Sequence, residues 1–150
     1  MTAFYQSEES IVIQSTAEKI YNALTDWNLR SQWRPGLSLS WDGKDQAYVC
    51  QIVRFRVAGF PPTHFEYRIS GLEPYKLIYM EYTGKPLKGR AAIEITPEKG
   101  GCQVSFYWMR VEASSLAAKL YFALGLGLRT HQLRTRETLR HLKDYLEKAS

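Results

Sequence analysis

The sequence predicts an α+β domain: a seven-stranded antiparallel sheet wrapped around a long C-terminal helix, with two short helices between the first and second strands. Three observations predict it. Residues 114–148 place Ala117, Leu120, Tyr121, Leu124, Leu128, Leu139, Leu142 and Leu146 on one helical face, at about 100° per residue. Residues 37–112 switch to a period of two and are broken by turn signals at short intervals. Between a strand-like start and that region, residues 15–36 carry two short helical patterns.

Taken in order, residues 3–13 end in Ile11, Val12 and Ile13 and read as the first strand. Ser15-Thr16-Ala17-Glu18 has the capping-box pattern that opens a helix. Ile20, Ala23 and Leu24 give that helix an apolar edge, and Asp26-Trp27-Asn28 breaks it. A second short helix carries Trp33 and stops at Pro35-Gly36. Strands follow near 37–42, 46–57, 63–72, 76–83, 89–97 and 102–112. Asp42-Gly43, Pro61-Pro62, Glu73-Pro74, Gly84-Lys85-Pro86 and Lys99-Gly100-Gly101 mark the turns between them. Connections this short allow antiparallel neighbours and exclude parallel crossovers.

Alternation assigns the wall that faces the helix. It groups Val49, Gln51, Val53, Phe55 and Val57 on one strand, and Phe65, Tyr67 and Ile69 on the next. It then groups Ala91, Ile93 and Ile95, and finally Val104, Phe106, Trp108 and Arg110. Strand 76–83 is apolar in both phases, so its orientation stays open. A one-residue bulge would flip any of these sets beyond it.

A chain of 150 residues is long enough for one real core, and we read 1–150 as a single domain. Ten Tyr and four Trp supply wall material, and 23% charged residues mark a globular chain. The N-terminus lacks a signal-peptide pattern, and the apolar run Leu120 to Leu128 is too short to span a bilayer. Cys50 and Cys102 sit in strand-like runs and read as small buried thiols, so a cytoplasmic location is expected. Three His and two Cys show no metal spacing, and no Gly-x-Ser-x-Gly elbow is present. No metal and no cofactor are expected. The net charge of +5 is spread over strands and helix, which argues against nucleic acid as the main partner.

The order of elements, with three local stretches, resembles the START-like superfamily of polyketide cyclases, lipid-transfer proteins and the birch pollen allergen. Residues 13–21 (IQSTAEKIY), Leu24-Thr25-Asp26-Trp27 and Trp33-Arg34-Pro35 look like that family's first strand and helix pair. Gly89 to Thr96, with Gly101 to Phe106, looks like its late strands, and Leu139 to Glu147 like its closing helix. The resemblance implies a helix-grip fold with a cavity between sheet and helix. It transfers no catalytic residue, because the family has no universal catalytic signature. Cys102 stands where members often have threonine, and Gly125 and Gly127 interrupt the closing helix, where a kink is expected.

The candidate site starts from the middle of the helical stripe, where His131, Thr135 and Thr138 replace leucine. Polar groups in a buried stripe require partners, water or a ligand. His131 and Thr135 are one turn apart and share a face. With Tyr67 and Arg110 they would form the polar end of a cavity walled by Phe55, Phe65, Ile93, Phe106, Trp108 and Leu128. Arg110 has two readings, one facing the cavity and one reaching the open rim. His131 also has two: a satisfied core histidine, or the best candidate acid or base, since only histidine titrates near neutrality unaided.

Three function classes follow, in this order. The first is binding of a small hydrophobic molecule such as a lipid or polyketide. The second is a cyclase- or dehydratase-type enzyme in the same cavity. The third is a membrane-surface or protein-interaction module. For an anionic membrane, the expected surface combines Arg129, Arg136, Arg140 and Lys143 with Phe122, Leu126 and Leu133. The sequence leaves oligomeric state open.

Overall fold

The computed structural model describes residues 3–58 and 63–148. The chain runs β1 (Tyr5–Ile13), α1 (Ala17–Thr25), α2 (Trp27–Trp33), β2 (Leu37–Trp41), β3 (Ile52–Val57) and β4 (Thr63–Glu73). It continues β5 (Leu77–Thr83), β6 (Leu87–Glu98), β7 (Gly101–Ala113), α3 (Leu116–Ala123) and α4 (Leu126–Lys148). The seven strands form one sheet in the order β1-β7-β6-β5-β4-β3-β2, antiparallel at every pairing. This is the α+β helix-grip architecture that the order of periods predicts. The predicted turn at Pro61-Pro62 lies outside the described residues.

The two small helices begin with side-chain caps. Thr16 Oγ1 accepts from the Lys19 amide at 3.2 Å, so the cap is Thr16 and not the Ser15 of the capping-box pattern. Asp26 Oδ1 accepts from the Leu29 amide at 3.1 Å and opens α2. Trp27 and Trp33 are buried, and the Trp33 indole donates to the Ala23 carbonyl at 2.9 Å. They staple the helix pair to the rest of the core.

The predicted strand 46–57 exists only from Ile52. Residues 46–51 form a loop docked on α1 and β4: the Ala47 amide donates to Thr25, and the Cys50 amide to Ile69. Cys50 sits in the left-handed region at φ 77 and is exposed, and Val49 is exposed too, against the expectation of buried side chains. Buried Gln51 holds the loop. Its Oε1 accepts from the Trp27 indole at 3.0 Å, and its Nε2 donates to the Asp42 and Lys44 carbonyls at 2.9 Å.

The inner face of β4 carries Tyr67 and Ile69 as predicted, and β5 resolves its open phase with Ile78, Met80 and Tyr82 inward. On β7 the predicted set holds through Trp108 and then fails. Arg90 pairs with Arg110, but Ala91 pairs with Trp108, so Met109 is an extra residue. This bulge reverses the phase: Val111 turns inward, and Arg110 turns out to solvent, 3.7 Å over the Phe4 ring.

The single helix expected over 114–148 is two helices. Gly125 takes φ 79 and ends α3, and α4 starts at Leu126. The break resets the helical phase, so the predicted stripe does not continue through it. Leu120 and Leu124 are 63% and 66% exposed, whereas Phe122, expected outside, is 9% exposed. Gly127 explains Phe122: a Cβ there would collide with the Phe122 ring. Within α4 the halves divide their work. Leu139, Leu142 and Leu146 are buried in the core. Near them α4 is tied to β1 by Arg136 Nε to Glu9 at 2.8 Å and Lys143 Nζ to the Val12 carbonyl at 3.0 Å. The first half, from Gly127 to Thr138, covers the pocket.

Candidate functional site

A pocket of about 820 Å³ lies between the inner face of β3–β7 and the first half of α4. Side chains of β3 to β7 that alternation turns inward form its floor, among them Phe55, Phe65, Tyr82, Ile93, Phe106 and Trp108. Small Ala91, on the inner face of β6 opposite Trp108, leaves space above the strand. Phe122 and Tyr121 of α3 close one side, and Arg30 and Arg34 close another. Exposed Lys85 and Ala117 on its border show that the pocket opens between the β5–β6 turn and α3. Ser114 fastens these two rims, its hydroxyl donating to the Gly84 carbonyl.

The floor is a chain of aromatic contacts. Phe55 meets Phe65 at 3.8 Å between ring centroids, Phe65 meets Tyr82 at 5.3 Å, and Tyr82 meets Trp108 at 6.2 Å, all edge to face. Trp108 stacks on Phe122 at 5.9 Å and on His131 at 3.5 Å. The Trp108 indole donates to the Tyr82 hydroxyl at 3.0 Å, which fixes both rings. Such contacts favour offset and edge geometries and hold the rings in place without closing the space above them.

His131 is therefore stacked flat on Trp108. Burial pulls its pKa down to about 3, so the imidazole is neutral at physiological pH. This corrects the expectation of a histidine that titrates near neutrality. It offers a hydrogen bond to a carbonyl or hydroxyl, and it is a weak base. The neighbouring hydroxyls are partly committed. Thr135 Oγ1 donates to the His131 carbonyl at 2.8 Å, and Thr130 Oγ1 meets the Tyr121 hydroxyl at 2.8 Å, linking α4 to α3.

The strongest electrostatic feature was not found by sequence reasoning. Arg30, Arg34 and Arg134 border the pocket, with Lys85 at the rim, and no Asp or Glu is among the described residues that line it. Arg34 Nε donates to Thr138 Oγ1 at 2.9 Å, and its Nη1 to the Pro35 carbonyl at 2.6 Å. Burial, partly countered by Glu137 and reinforced by the like charges of Arg134 and Arg30, pulls the Arg34 guanidinium below its ordinary value. A signal was present in the sequence. Trp27, Arg30 and Arg34 sit three and four residues apart, on one face of α2 and its end. An arginine sharing a face with a buried tryptophan points into the protein.

Of the residues proposed from sequence, Phe55, Phe65, Ile93, Phe106, Trp108, His131 and Thr135 border the pocket together. Tyr67 is buried beside it, its hydroxyl 3.4 Å from Arg30 Nη1, and Leu128 is half-buried against the core without lining the pocket. Arg110 lies on the outer side of the sheet because of the β7 bulge. Among the described residues, no three His, Cys, Asp or Glu gather as a metal site, and no helix is long and apolar enough to cross a membrane.

Known proteins place this geometry. Two-domain aromatase/cyclase StfQ from the steffimycin biosynthetic pathway superposes with a TM-score of 0.72 at 14% identity, over 97% of this chain and 51% of that one. The Aha1 protein of Colwellia psychrerythraea superposes at 0.67 with 19% identity, covering 95% and 96% of the two chains. Ara h 8.0201 superposes at 0.68 with 11% identity, covering 97% and 99%. At these identities the likeness is one of fold. No curated protein matches the sequence. The model of the family described as polyketide cyclase / dehydrase and lipid transport matches residues 6–147, and the chain belongs to that family.

Proposed function

We propose that this protein binds a small hydrophobic molecule, a lipid or polyketide-like compound, in the pocket between sheet and α4. One observation carries the reading: an aromatic-floored space of about 820 Å³, open to solvent at one rim. Ligand sites typically enclose about 300–1,000 Å³ and combine apolar walls with a few polar groups. The family description and the fold shared with a polyketide aromatase/cyclase support it. Free Cys50 and Cys102 are compatible with the reducing cytoplasm, the compartment we propose. Native mass spectrometry of the freshly purified protein tests the reading. A discrete hydrophobic adduct, released by organic solvent, is expected. A bare protein that also leaves Nile red fluorescence unchanged would contradict it.

A cyclase- or dehydratase-type reaction in the same pocket is a second reading, favoured by the aromatic floor, which would fold and hold a ring-forming chain. In it His131 orients the substrate by hydrogen bonding and does not shuttle protons at neutral pH. A third reading is docking on anionic lipid, favoured by Leu116 and Leu120 of α3 and Leu124 just after it, all exposed, with Lys119 beside them. The basic row expected on α4 is partly neutralised, since Arg136 pairs with Glu9 and Lys143 with Glu147. Cosedimentation with vesicles of anionic phospholipid, lost in the Leu120→Ser/Leu124→Ser variant, is the expected result; no sedimentation of the wild type at low salt would end this reading.

A further inference from the structure

Resting on the reading of the pocket as a ligand site, we propose that its ligand is an amphiphile with an anionic head group. A carboxylate or a phosphate monoester would be held by Arg30, Arg34 and Arg134 while the apolar body lies along the aromatic floor.

The charges do not balance inside the pocket. Four basic residues border it, and none of the described residues lining it is acidic. Glu137 is the nearby counterion, but it is half-exposed and 3.9 Å from Arg34 Nη2. A second observation concerns Arg30. It is 7% exposed, its Nε has no hydrogen-bond partner, and its Nη1 reaches Leu24 O and Tyr67 Oη only at 3.5 and 3.4 Å. Good N–H···O bonds are shorter, about 2.7–3.2 Å. The guanidinium also lies 5.8 Å from the Trp27 ring centroid, but a buried Nε donor without a partner is costly. Arg34, by contrast, is fixed by Thr138 and Pro35. The pair thus combines a rigid cation with one that has donors to spare. A planar or tetrahedral oxyanion accepts two parallel bonds from such a fork, which a neutral hydroxyl cannot.

Competitive displacement of Nile red, a neutral reporter, tests this at pH 7.5 with dodecanoate, dodecyl phosphate and dodecanol. At least one anion should displace the dye at about tenfold lower concentration than dodecanol from the wild type. In Arg30→Gln, and independently in Arg134→Gln, that preference should shrink to within about threefold. Which anion prevails distinguishes a carboxylate from a phosphate source. Dodecanol binding as tightly as both anions to the wild type would overturn the anionic head and leave the pocket reading standing. A preference that survives undiminished in both variants would overturn the arginine assignment. If neither the dye nor any of the three ligands binds, the pocket reading itself has failed, and this inference with it.

Discussion

His131 lies flat on Trp108 with ring centroids 3.5 Å apart, and that contact sets its chemistry. Burial holds its pKa at about 3 in the folded chain, against an ordinary 6.5. Below pH 6.5 the unfolded chain takes up a proton that the native chain refuses, so stability falls as pH drops. The slope approaches about 1.4 kcal/mol per pH unit. Thermal melts of His131→Gln between pH 7.5 and 4.5 should show a shallower decline than the wild type; parallel curves would contradict the buried neutral imidazole. Gln51 makes a second prediction. Gln51→Leu leaves the Trp27 indole and two loop carbonyls without their partner. About 3 kcal/mol should be lost in urea unfolding. At this scale the sequence was partly legible. Helical spacing correctly paired His131 with Thr135 on the pocket side. The pKa was not legible, because the desolvating ring comes from a strand more than twenty residues away. Arg30 and Arg34 were missed because two arginines one turn apart usually read as a solvated face.

Elements were legible by period and misread at their junctions. All seven strands were anticipated, six of them because alternation and turn residues agree along 37–112. The β7 bulge at Met109 was not, since nothing in the local alternation marks it, and it alone moved Arg110 from the pocket to the outer face. Residues 46–51 alternate like a strand, yet Gln51 and the carbonyls it grips turn them into a docked loop. The break between α3 and α4 was signalled by Gly125, but the sequence could not show how far α3 would turn. Gly125→Ala should cost about 1 kcal/mol in urea unfolding, because a Cβ is disfavoured in the left-handed region. Gly125→Asn should cost less, because asparagine tolerates that conformation. Equal losses for the two would argue against the left-handed cap.

At the scale of the whole molecule, the sheet and α4 solve two problems with one pair of surfaces. The C-terminal half of α4 seals a core around Leu139, Leu142 and Leu146. Its N-terminal half covers the pocket, where Ala91 is small and the aromatic rings brace one another. The fold class followed from the order of the elements, but the pocket required their relative placement. The most direct test of the central claim fills that space. Nile red is titrated into the wild type and into Ala91→Phe, whose new ring would project into the pocket from β6. Saturable dye binding to the wild type is expected, with binding to the folded variant weakened at least about tenfold. Equal binding to both proteins would place the dye elsewhere and rule out the pocket between sheet and α4 as the ligand site.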